Sequence, residues 1–398
     1  EALKAGQFCL YYQPKVNMRT AKVYGAEALI RWQHPEQGLL SPAAFLPLIS
    51  DSDLEIEMGN WVMQTALAQA NEWHQAGYPL EVSVNVASSH LQSARFIDDV
   101  EAALATCPDL DSRYLQLEIV ETSALGDIAA ISRVIKLCRD VLGVSVALDD
   151  FGTGYSSLTH LRHLTASTIK IDQTFVRDML DDPQDYTIVD GVSGLADAFN
   201  RQVIAEGVET VEHGLMLLMI GCEHAQGYGI ARPMPAKELQ PWLEQYQPDQ
   251  QWLDCAALPL TPRQQALRLF ELTSQRWYRL FMQNLEQDRD EVEHWPIMDQ
   301  RKCHCGSWIQ RVKSQDLFDV DWLERIEQAH SEWHHLAHQM RDMLLAGEAA
   351  ACQARIDDYQ RRYMAMTALV DEAIFPASVI VRNKPVTNHS QTNDRIVE

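Results

Sequence analysis

Acidic, amide and lysine side chains recur at the ends of strand-like runs in the first part of the chain. They are Glu27 in AEALIRW, Asn85 in SVNVA, Glu118 in LEIVET, Asp149 and Asp150 in ALDDFG, Lys170 and Asp172 in IKID, and Glu206 and Glu209 in IAEGVE. One such carboxylate alone is typical of a solvated strand end. A series of them sharing one site would repel and raise one another's pKa unless cations lay between them. The pattern therefore indicates hard divalent cations, which prefer oxygen ligands.

The adjacent Asp149 and Asp150 end an apolar run and are followed at once by glycines, in the stretch VALDDFGTGYSSL. Neighbouring carboxylates at a strand end let one of the two bridge two ions while the other completes the second. Gly152 and Gly154 allow the backbone to turn sharply beside them. Two cations suit in-line hydrolysis of a phosphodiester, because they can stabilise the attacking and the leaving oxygen together.

Lys170 has two interpretations that its position alone does not separate. If its side chain enters the same site, it orients or deprotonates the hydrolytic water. Alternatively, it is a buried lysine that pairs with Asp172 for structural reasons.

Short β-rich runs alternate with helical patterns from Phe8 to about Tyr246, as expected of βα units around a parallel sheet. Strands are predicted in the runs FCLYYQPKV, VYGAEALIRW, LEVSVNVA, YLQLEIVE, VSVALDD, TIKID, QVIAEGV and AQGYGIA. Helices are predicted from 61 to 75, 128 to 142 and 186 to 199, where apolar residues recur at steps of three and four. About eight such units favour an α/β fold with a (β/α)8 TIM barrel over an open doubly wound sheet. The C-terminal strand ends of such a barrel converge on one face, where reactive side chains meet.

The pattern changes after the run PDQQWLD. Strand patterns end, and long helical patterns run from about Pro262 to Glu293, Asp321 to Leu345 and Glu348 to Glu372. We therefore predict a barrel over residues 1–246, a linker over 247–260, a small all-α helical bundle over 261–376 and a disordered tail over 377–398.

The charge balance limits the class of partner. The 398 residues include 33 Lys and Arg against 56 Asp and Glu, which gives a formal net charge of -23. Such a chain is poorly suited to nucleic acid polymers or anionic membranes. A phosphate-bearing ligand would need metal ions as intermediaries.

Compartment and chain context can also be predicted. The longest apolar run, GLMLLMIG, is too short to span a bilayer, so we expect no membrane segment. The eight scattered cysteines predict free thiols in a reducing, cytoplasmic compartment. Because the sequence starts at Glu1 and enters a strand-like run almost at once, we expect an upstream sensory domain outside it.

Seven motifs resemble, in order and spacing, those of the EAL-domain cyclic di-GMP phosphodiesterases. They are EALIRW, VNVA, EIVET, DDFGTGYSSL, IKID, AEGVET and AQGYGIARPMP. The resemblance covers about Phe8 to Tyr246. It implies a modified TIM barrel and the opening of cyclic di-GMP to linear pGpG with two Mg²⁺ or Mn²⁺ ions. It also implies a homodimer.

The resemblance further implies a role for each matching residue. The first ion would be held by Glu27, Asn85, Glu118 and Asp149, and the second by Asp149 and Asp150 with Glu206 nearby. Lys170 would assist the hydrolytic water. Substrate contacts would come from Gln13, Arg31, Asp172 and Gln226, where the planar guanidinium of Arg31 suits a phosphate. Glu209 would support the glycine-rich loop that follows Asp150.

In the predicted bundle, cysteine and histidine side chains have metal-ligand spacing. Cys303 lies in KCHCGSW, and His330, His334 and His338 follow at helical steps of four in HSEWHHLAHQ. Zinc prefers such thiolate and imidazole ligands. Polar histidines on a solvated helix face explain the spacing equally well.

The wider pattern resembles the zinc-binding domain of bacterial chemoreceptors, with Cys303, His330 and His334 in its motif positions. That family places a histidine two residues before an aromatic residue of its first helix, where this chain has Gln275 before Trp277. Either a zinc ion is completed by Cys305, His304, His338 or water, or the site is weakened or lost.

These motifs support an active phosphodiesterase, which the helical bundle would modulate, over a catalytically inactive receptor for cyclic di-GMP. Members that bind without cutting typically lack a metal ligand or the lysine, and this sequence retains them all. A third reading, in which the barrel is only a scaffold, leaves the acidic series unexplained.

Overall fold

The computed structural model describes residues 1–121, 128–152, 158–287, 292 and 294–374. It divides into two compact units, Glu1–Pro259 and Leu260–Glu398. The tail predicted to be disordered, 377–398, lies outside the described residues, as do Gly154 and most of the loop that follows Asp150.

The first unit is a closed barrel. Its strands are β1 Phe8–Asn17, β2 Lys22–His34, β3 Gly38–Leu40, β4 Glu81–Val86, β5 Leu115–Val120, β6 Ser145–Phe151, β7 Thr168–Ile171, β8 Gln202–Ala205, β9 His224–Ala225 and β10 Met234–Pro235. The ring runs β1-β2-β4-β5-β6-β7-β8-β9 and closes where β9 pairs with β1, while β3 and β10 flank it. The predicted barrel is confirmed, with a final strand much shorter than its sequence run.

The direction of β1 differs from the expected all-parallel sheet. Strand β1 is antiparallel to both ring neighbours, β2 and β9, whereas the pairs from β2 through β9 are parallel. The connection between β1 and β2 spans only residues 18–21, and a link so short can join antiparallel strands but not parallel ones.

Helices surround the ring. They are α1 Asp53–Gln75, α2 Ser88–Leu91, α3 Phe96–Ala105, α4 Ile128–Asp140, α5 Leu158–His163, α6 Gln173–Asp178, α7 Pro183–Ala198, α8 Val211–Met219, α9 Ala236–Gln245 and α10 Gln250–Ala257. Helix α1 shows why they pack: Met58, Val62, Ala66, Ala70 and Trp73 are buried at steps of three and four. Helix α10 lies within the predicted linker.

The second unit is helical throughout its described elements. These are α11 Pro262–Glu286, α12 His304–Val312, α13 Val320–Leu345, α14 Ala349–Gln353 and α15 Ile356–Ile374. The long helices match the sequence patterns, but α12 was not predicted. It is short, and its first turn is capped by Cys303, whose Sγ accepts a hydrogen bond from the Gly306 amide.

Two bulk properties follow from the described residues. No helix among them is both long and apolar enough to cross a membrane. All eight cysteines are free thiols.

Candidate functional site

The ammonium of Lys170 lies at the centre of the predicted acidic cluster, at the C-terminal ends of the parallel strands. Its Nζ is 2.6 Å from Glu118 Oε2, 2.7 Å from Glu206 Oε1, 3.1 Å from Asp149 Oδ1 and 3.4 Å from Glu27 Oε2. Lys170 itself is fully buried. The cluster therefore brings together side chains from β2, β5, β6 and β7 and from the residue after β8.

Lys170 is buried, as the structural alternative expected, but its carboxylate partners among the described residues are these four instead of Asp172. Asp172 caps helix α6, where its Oδ1 accepts from the Thr174 amide at 2.9 Å. The alternative in which Lys170 pairs with Asp172 is therefore not supported. Burial disfavours the ammonium, yet the surrounding carboxylates outweigh it and hold the pKa of Lys170 well above its ordinary value.

The carboxylates respond unequally to sharing one buried site. Burial and the charge of Glu27 raise the pKa of Glu118 to about 7. Burial also raises the pKa of Glu206, despite the opposing effect of Lys170. For Glu27, Lys170 and hydrogen bonds from Gln226 and Asn85 overcome the burial cost, so that its pKa is lowered. The carboxylates of the site thus carry more negative charge than the single ammonium of Lys170 can balance.

Asp149, Asp150 and Glu206 form a second grouping within the cluster. One carboxylate oxygen from each lies within 4.8 Å of the others, a spacing that can hold a metal ion. Burial and the charge of Asp149 raise the pKa of Asp150 to about 6. The backbone at Asp150 has φ +53°, in the left-handed region, and Gly152 follows at φ +105°. The sharp turn predicted beside the aspartate pair is present.

Buried oxygen atoms without partners support a cation at this mouth. Glu118 Oε1 and Gln226 Oε1 are buried and accept no hydrogen bond from the described residues. An acceptor left unsatisfied in a buried site costs free energy that a bound cation would recover. Asn85 Nδ2 donates to Glu27 Oε1 at 2.7 Å, which leaves its own amide oxygen at the exposed rim of the same cluster.

A pocket of about 210 Å³ opens beside the carboxylates. Its lining includes the predicted residues Gln13, Glu27, Arg31, Glu206, Glu209 and Gln226. Gln226 Nε2 donates to Glu27 Oε2 at 2.6 Å and to Gln13 Oε1 at 2.9 Å, and Gln13 Nε2 donates to the Ala231 carbonyl at 3.0 Å. The two glutamines therefore tie the pocket wall to a carboxylate of the cluster.

Two glycines fix the turn that carries Gln226. A Cβ on Gly227 would overlap the Val208 backbone, and one on Gly229 would overlap the Glu209 carbonyl. The turn also pairs with that segment, because Val208 N donates to Gln226 O at 3.1 Å and Gly229 N to Val208 O at 2.9 Å. Close backbone approach thus positions Glu209 at the pocket.

The sequence analysis missed one pair of side chains at this pocket. Tyr228 lines it and is 55% exposed, and the Arg232 guanidinium lies over the Tyr228 ring, 4.3 Å from its centroid. The signal in the sequence was that Tyr228 follows Gln226 by two residues in QGYG. A single aromatic residue in a loop does not by itself indicate a ligand contact.

In the second unit, Cys303, His330 and His334 come together in the interior. One ligand atom from each lies within 4.8 Å of the others, and all three side chains are buried. Cys303 Sγ is 3.3 Å from His330 Nε2. His334 Nδ1 lies 2.9 Å from the Met298 carbonyl and must donate to it, which leaves His334 Nε2 buried, unprotonated and without a hydrogen-bond partner among the described residues. The grouping excludes the solvated-face interpretation for these two histidines.

The cluster can bind a metal ion only after the Cys303 thiol has lost its proton. Burial lowers the pKa of His330 well below its ordinary value and that of His334 to about 4, so both imidazoles are neutral near pH 7. Burial raises the pKa of the Cys303 thiol to about 11. A metal ion would therefore displace the thiol proton.

The other proposed zinc ligands lie elsewhere or are engaged. His338 Nε2 is 2.9 Å from the Met298 carbonyl, which His334 also contacts. Cys305 Sγ is 3.6 Å from Thr273 Oγ1, and Gln275 is exposed on α11. Neither Cys305 nor His338 belongs to the three-residue group found among the described residues.

Comparison with known proteins agrees with the barrel fold. The EAL domain family profile matches residues 1–233. The chain is 39% identical over 236 residues to the cyclic di-GMP phosphodiesterase PA2567 of Pseudomonas aeruginosa, covering 59% of this chain and 40% of that protein. It is 36% identical to the cyclic di-GMP phosphodiesterase PdeR of Escherichia coli, covering 62% of this chain and 37% of that protein. It thus spans about two fifths of these relatives.

A solved structure described as the PaMucR phosphodiesterase in complex with c-di-GMP matches with a TM-score of 0.57 and 38% identity, covering 60% of this chain and 96% of that one. The EAL domain of Mycobacterium smegmatis DcpA matches with a TM-score of 0.51 and 34% identity, covering 60% and 97%. With the family profile, the closed barrel and the motif residues gathered at its mouth, the chain belongs to the EAL domain family through its first unit.

Proposed function

We propose that the first unit hydrolyses cyclic di-GMP to linear pGpG with two divalent cations, Mg²⁺ or Mn²⁺. One observation carries the proposal: Lys170 and four carboxylates converge beside a pocket at the mouth of the barrel. The names of the relatives support the substrate, since two of them are called cyclic di-GMP phosphodiesterases.

The donor atoms divide naturally between two ions. Glu27, Asn85, Glu118 and Asp149 would hold the first, and Asp149, Asp150 and Glu206 the second. When bound, the pair supplies Lewis acidity, which activates the nucleophile and stabilises charge on the attacking and leaving oxygens. Asp149 is the only residue in both sets, so its substitution should affect both ions.

The remaining residues bind and orient the reactants. Lys170 holds the hydrolytic water and stabilises negative charge beside the phosphodiester, since its raised pKa keeps it protonated. Arg31 lines the pocket and can face a phosphate with two donors. Gln13 and Gln226 offer amide groups to the nucleotide, and Asp172, next to Asp150, completes the wall. Glu209 supports the glycine-rich loop that follows Asp150.

The alternative is a receptor that binds cyclic di-GMP without cutting it. We expect the full chain with Mg²⁺ or Mn²⁺ to give linear product by liquid chromatography. Lys170→Met keeps the length of the side chain and removes its charge, so turnover should fall by about 10²- to 10⁴-fold. Nucleotide binding measured by calorimetry in Ca²⁺ should remain. Tight binding by the wild-type protein with no product would establish the receptor instead.

We further propose that the second unit binds zinc through Cys303, His330 and His334 and modulates the barrel. The buried, unpartnered His334 Nε2 beside the Cys303 and His330 ligand atoms supports this choice. Elemental analysis of the full chain should give one zinc that is lost in Cys303→Ser. A wild-type protein without zinc after growth in zinc-supplemented medium would refute the site.

We also propose a cytoplasmic homodimer within a longer protein that carries a sensory segment. The free thiols favour a reducing compartment. Light scattering of the full-length protein tests the dimer, and a concentration-independent monomer mass would reject it.

A further inference from the structure

One face of helix α11 covers the Cys303–His330–His334 cluster. The ring of Phe270 lies 6.5 Å from that of His330, and the ring of Trp277 lies 4.5 Å from that of His334, between centroids. Positions 270, 274 and 277 fall on one side of a helix, because they are separated by four and three residues. Thr273 and Ser274 both fall between these two contacts. Thr273 Oγ1 lies 3.6 Å from Cys305 Sγ, which leaves Ser274 for the space between the two histidine contacts.

Burial agrees with this placement. Ser274 is fully buried, whereas its neighbour Gln275 is exposed. Gln275, at the position where the zinc-binding family was expected to have a histidine, is thus exposed and not directed into the interior. The neighbouring position, on the buried side of α11, holds a serine.

Ser274 does not complete a zinc site. Its hydroxyl donates to the Glu271 carbonyl at 3.0 Å, and neutral hydroxyls are not among the ligands that zinc usually takes. Cys303, His330 and His334 remain, and three protein ligands with one open position are typical of reactive zinc sites rather than closed structural ones.

A surface pocket reaches the edge of the cluster at His330. It measures about 360 Å³ and is lined by His330 and Gly306 together with polar side chains. Three glutamates, Glu324, Glu327 and Glu332, stand in its wall against one arginine, Arg301. This charge disfavours anionic ligands relative to uncharged ones.

We propose that the zinc site of the second unit keeps one coordination position open, opposite Ser274, for a small uncharged nitrogen or sulfur donor such as an imidazole or a thiol. This inference rests on the proposed zinc binding. It makes the bundle a ligand-responsive metal site, in which an added donor changes the coordination that Cys303 and the two histidines share.

Cobalt substitution tests the open position directly. Co²⁺ loaded into the full chain should show a thiolate-to-cobalt charge-transfer band that is absent from Cys303→Ser, so the band reports this site and not the barrel. Imidazole should shift the visible spectrum of the wild-type protein in a saturable way. Ser274→Ala should behave the same, because it leaves the position open.

Histidine substitutions at neighbouring positions supply matched variants. Ser274→His, or the nearly isosteric Ser274→Cys, should abolish the response to imidazole. Either should also tighten zinc binding by about tenfold or more in competition with a chromophoric chelator, since even outer-shell partners change affinity by about 10- to 100-fold. Gln275→His should match the wild type, because position 275 faces solvent.

The outcomes separate the two proposals. If no charge-transfer band forms in the wild-type protein, the zinc site itself is refuted. If the band forms but imidazole and small thiols leave the spectrum unchanged, the site is closed and the open position is refuted. Closure by Gln275→His, with Ser274→His still responsive, would overturn the assignment of Ser274.

Discussion

Lys170 shows how much of the site can be predicted residue by residue. The sequence identifies the acids, because carboxylates repeat at strand ends, and the structure brings Glu27, Glu118, Asp149 and Glu206 around one ammonium. The choice of these four over Asp172 could not be predicted. It depends on strand register and on Asp172 turning to cap helix α6.

Asp150 should lower the stability of the metal-free barrel. Its pKa is raised to about 6 from an ordinary value of 3.8, so folding favours the protonated acid. Stability therefore rises as pH falls from about 6 towards 4 and is lowest above pH 6, where the folded acid ionises. We expect Asp150→Asn to stabilise the metal-free protein at pH 8 by about 1 kcal/mol. This is less than the full pKa shift implies, because the site is half-buried and solvent screens the charge.

Asparagine is a matched choice at position 150, since it tolerates the left-handed backbone that Asp150 adopts. Chemical denaturation in chelator at pH 8 and at pH 5 measures the effect, and the gain should shrink at pH 5. The same variant should bind Mn²⁺ more weakly. A destabilised variant at pH 8 would contradict the repulsion argument.

At the scale of elements, chain direction and helix faces explain what sequence patterns missed. The alternation of patterns predicts a barrel, but the four-residue link between β1 and β2 makes β1 antiparallel. In the bundle, counting back from Trp277 selects Gln275, whereas the packing of α11 selects Ser274. Which positions of a helix face the cluster depends on which helices pack together, and a single sequence does not give that information.

The turn at Gly229 should be intolerant of a side chain. A Cβ there would overlap the Glu209 carbonyl, so Gly229→Ala must shift the turn that carries Gln226. We expect a loss of about 1 to 3 kcal/mol in the free energy of unfolding, together with reduced nucleotide binding.

Gly191→Ala is the control for this substitution. Gly191 lies in helix α7, and nothing stands within 4 Å of a Cβ built on it. Alanine should stabilise this helix by about 0.5 to 1 kcal/mol and leave nucleotide binding unchanged. Thermal denaturation compares the two variants, and equal effects would show that local crowding at Gly229 is unimportant.

At the scale of the whole molecule, the net charge predicts that ligand binding depends on cations. The chain has a net charge of -23, and the proposed ligand site lies among carboxylates, so we expect binding of the proposed anionic dinucleotide to depend on cations. This dependence follows from composition. The position and number of the ions do not, because they require the three-dimensional arrangement at the barrel mouth.

The first unit should fold and cut without the second. It has its own closed sheet and core, and the residues proposed for hydrolysis all lie within Glu1–Pro259. A chain ending at Pro259 should unfold cooperatively and retain metal-dependent turnover, with the response to zinc lost. Circular dichroism and product analysis measure both properties. A folded but inactive fragment would show that the bundle contributes to catalysis itself.

The proposed hydrolysis depends most on two cations held at the mouth of the barrel. Anomalous diffraction at the manganese edge, from crystals grown with Mn²⁺ and the non-cleaving Lys170→Met protein with cyclic di-GMP, locates them directly. We predict two peaks that share Asp149, one beside Glu27 and Glu118 and the other beside Asp150 and Glu206. A single peak, or peaks that Asp149 does not join, would contradict the two-cation site.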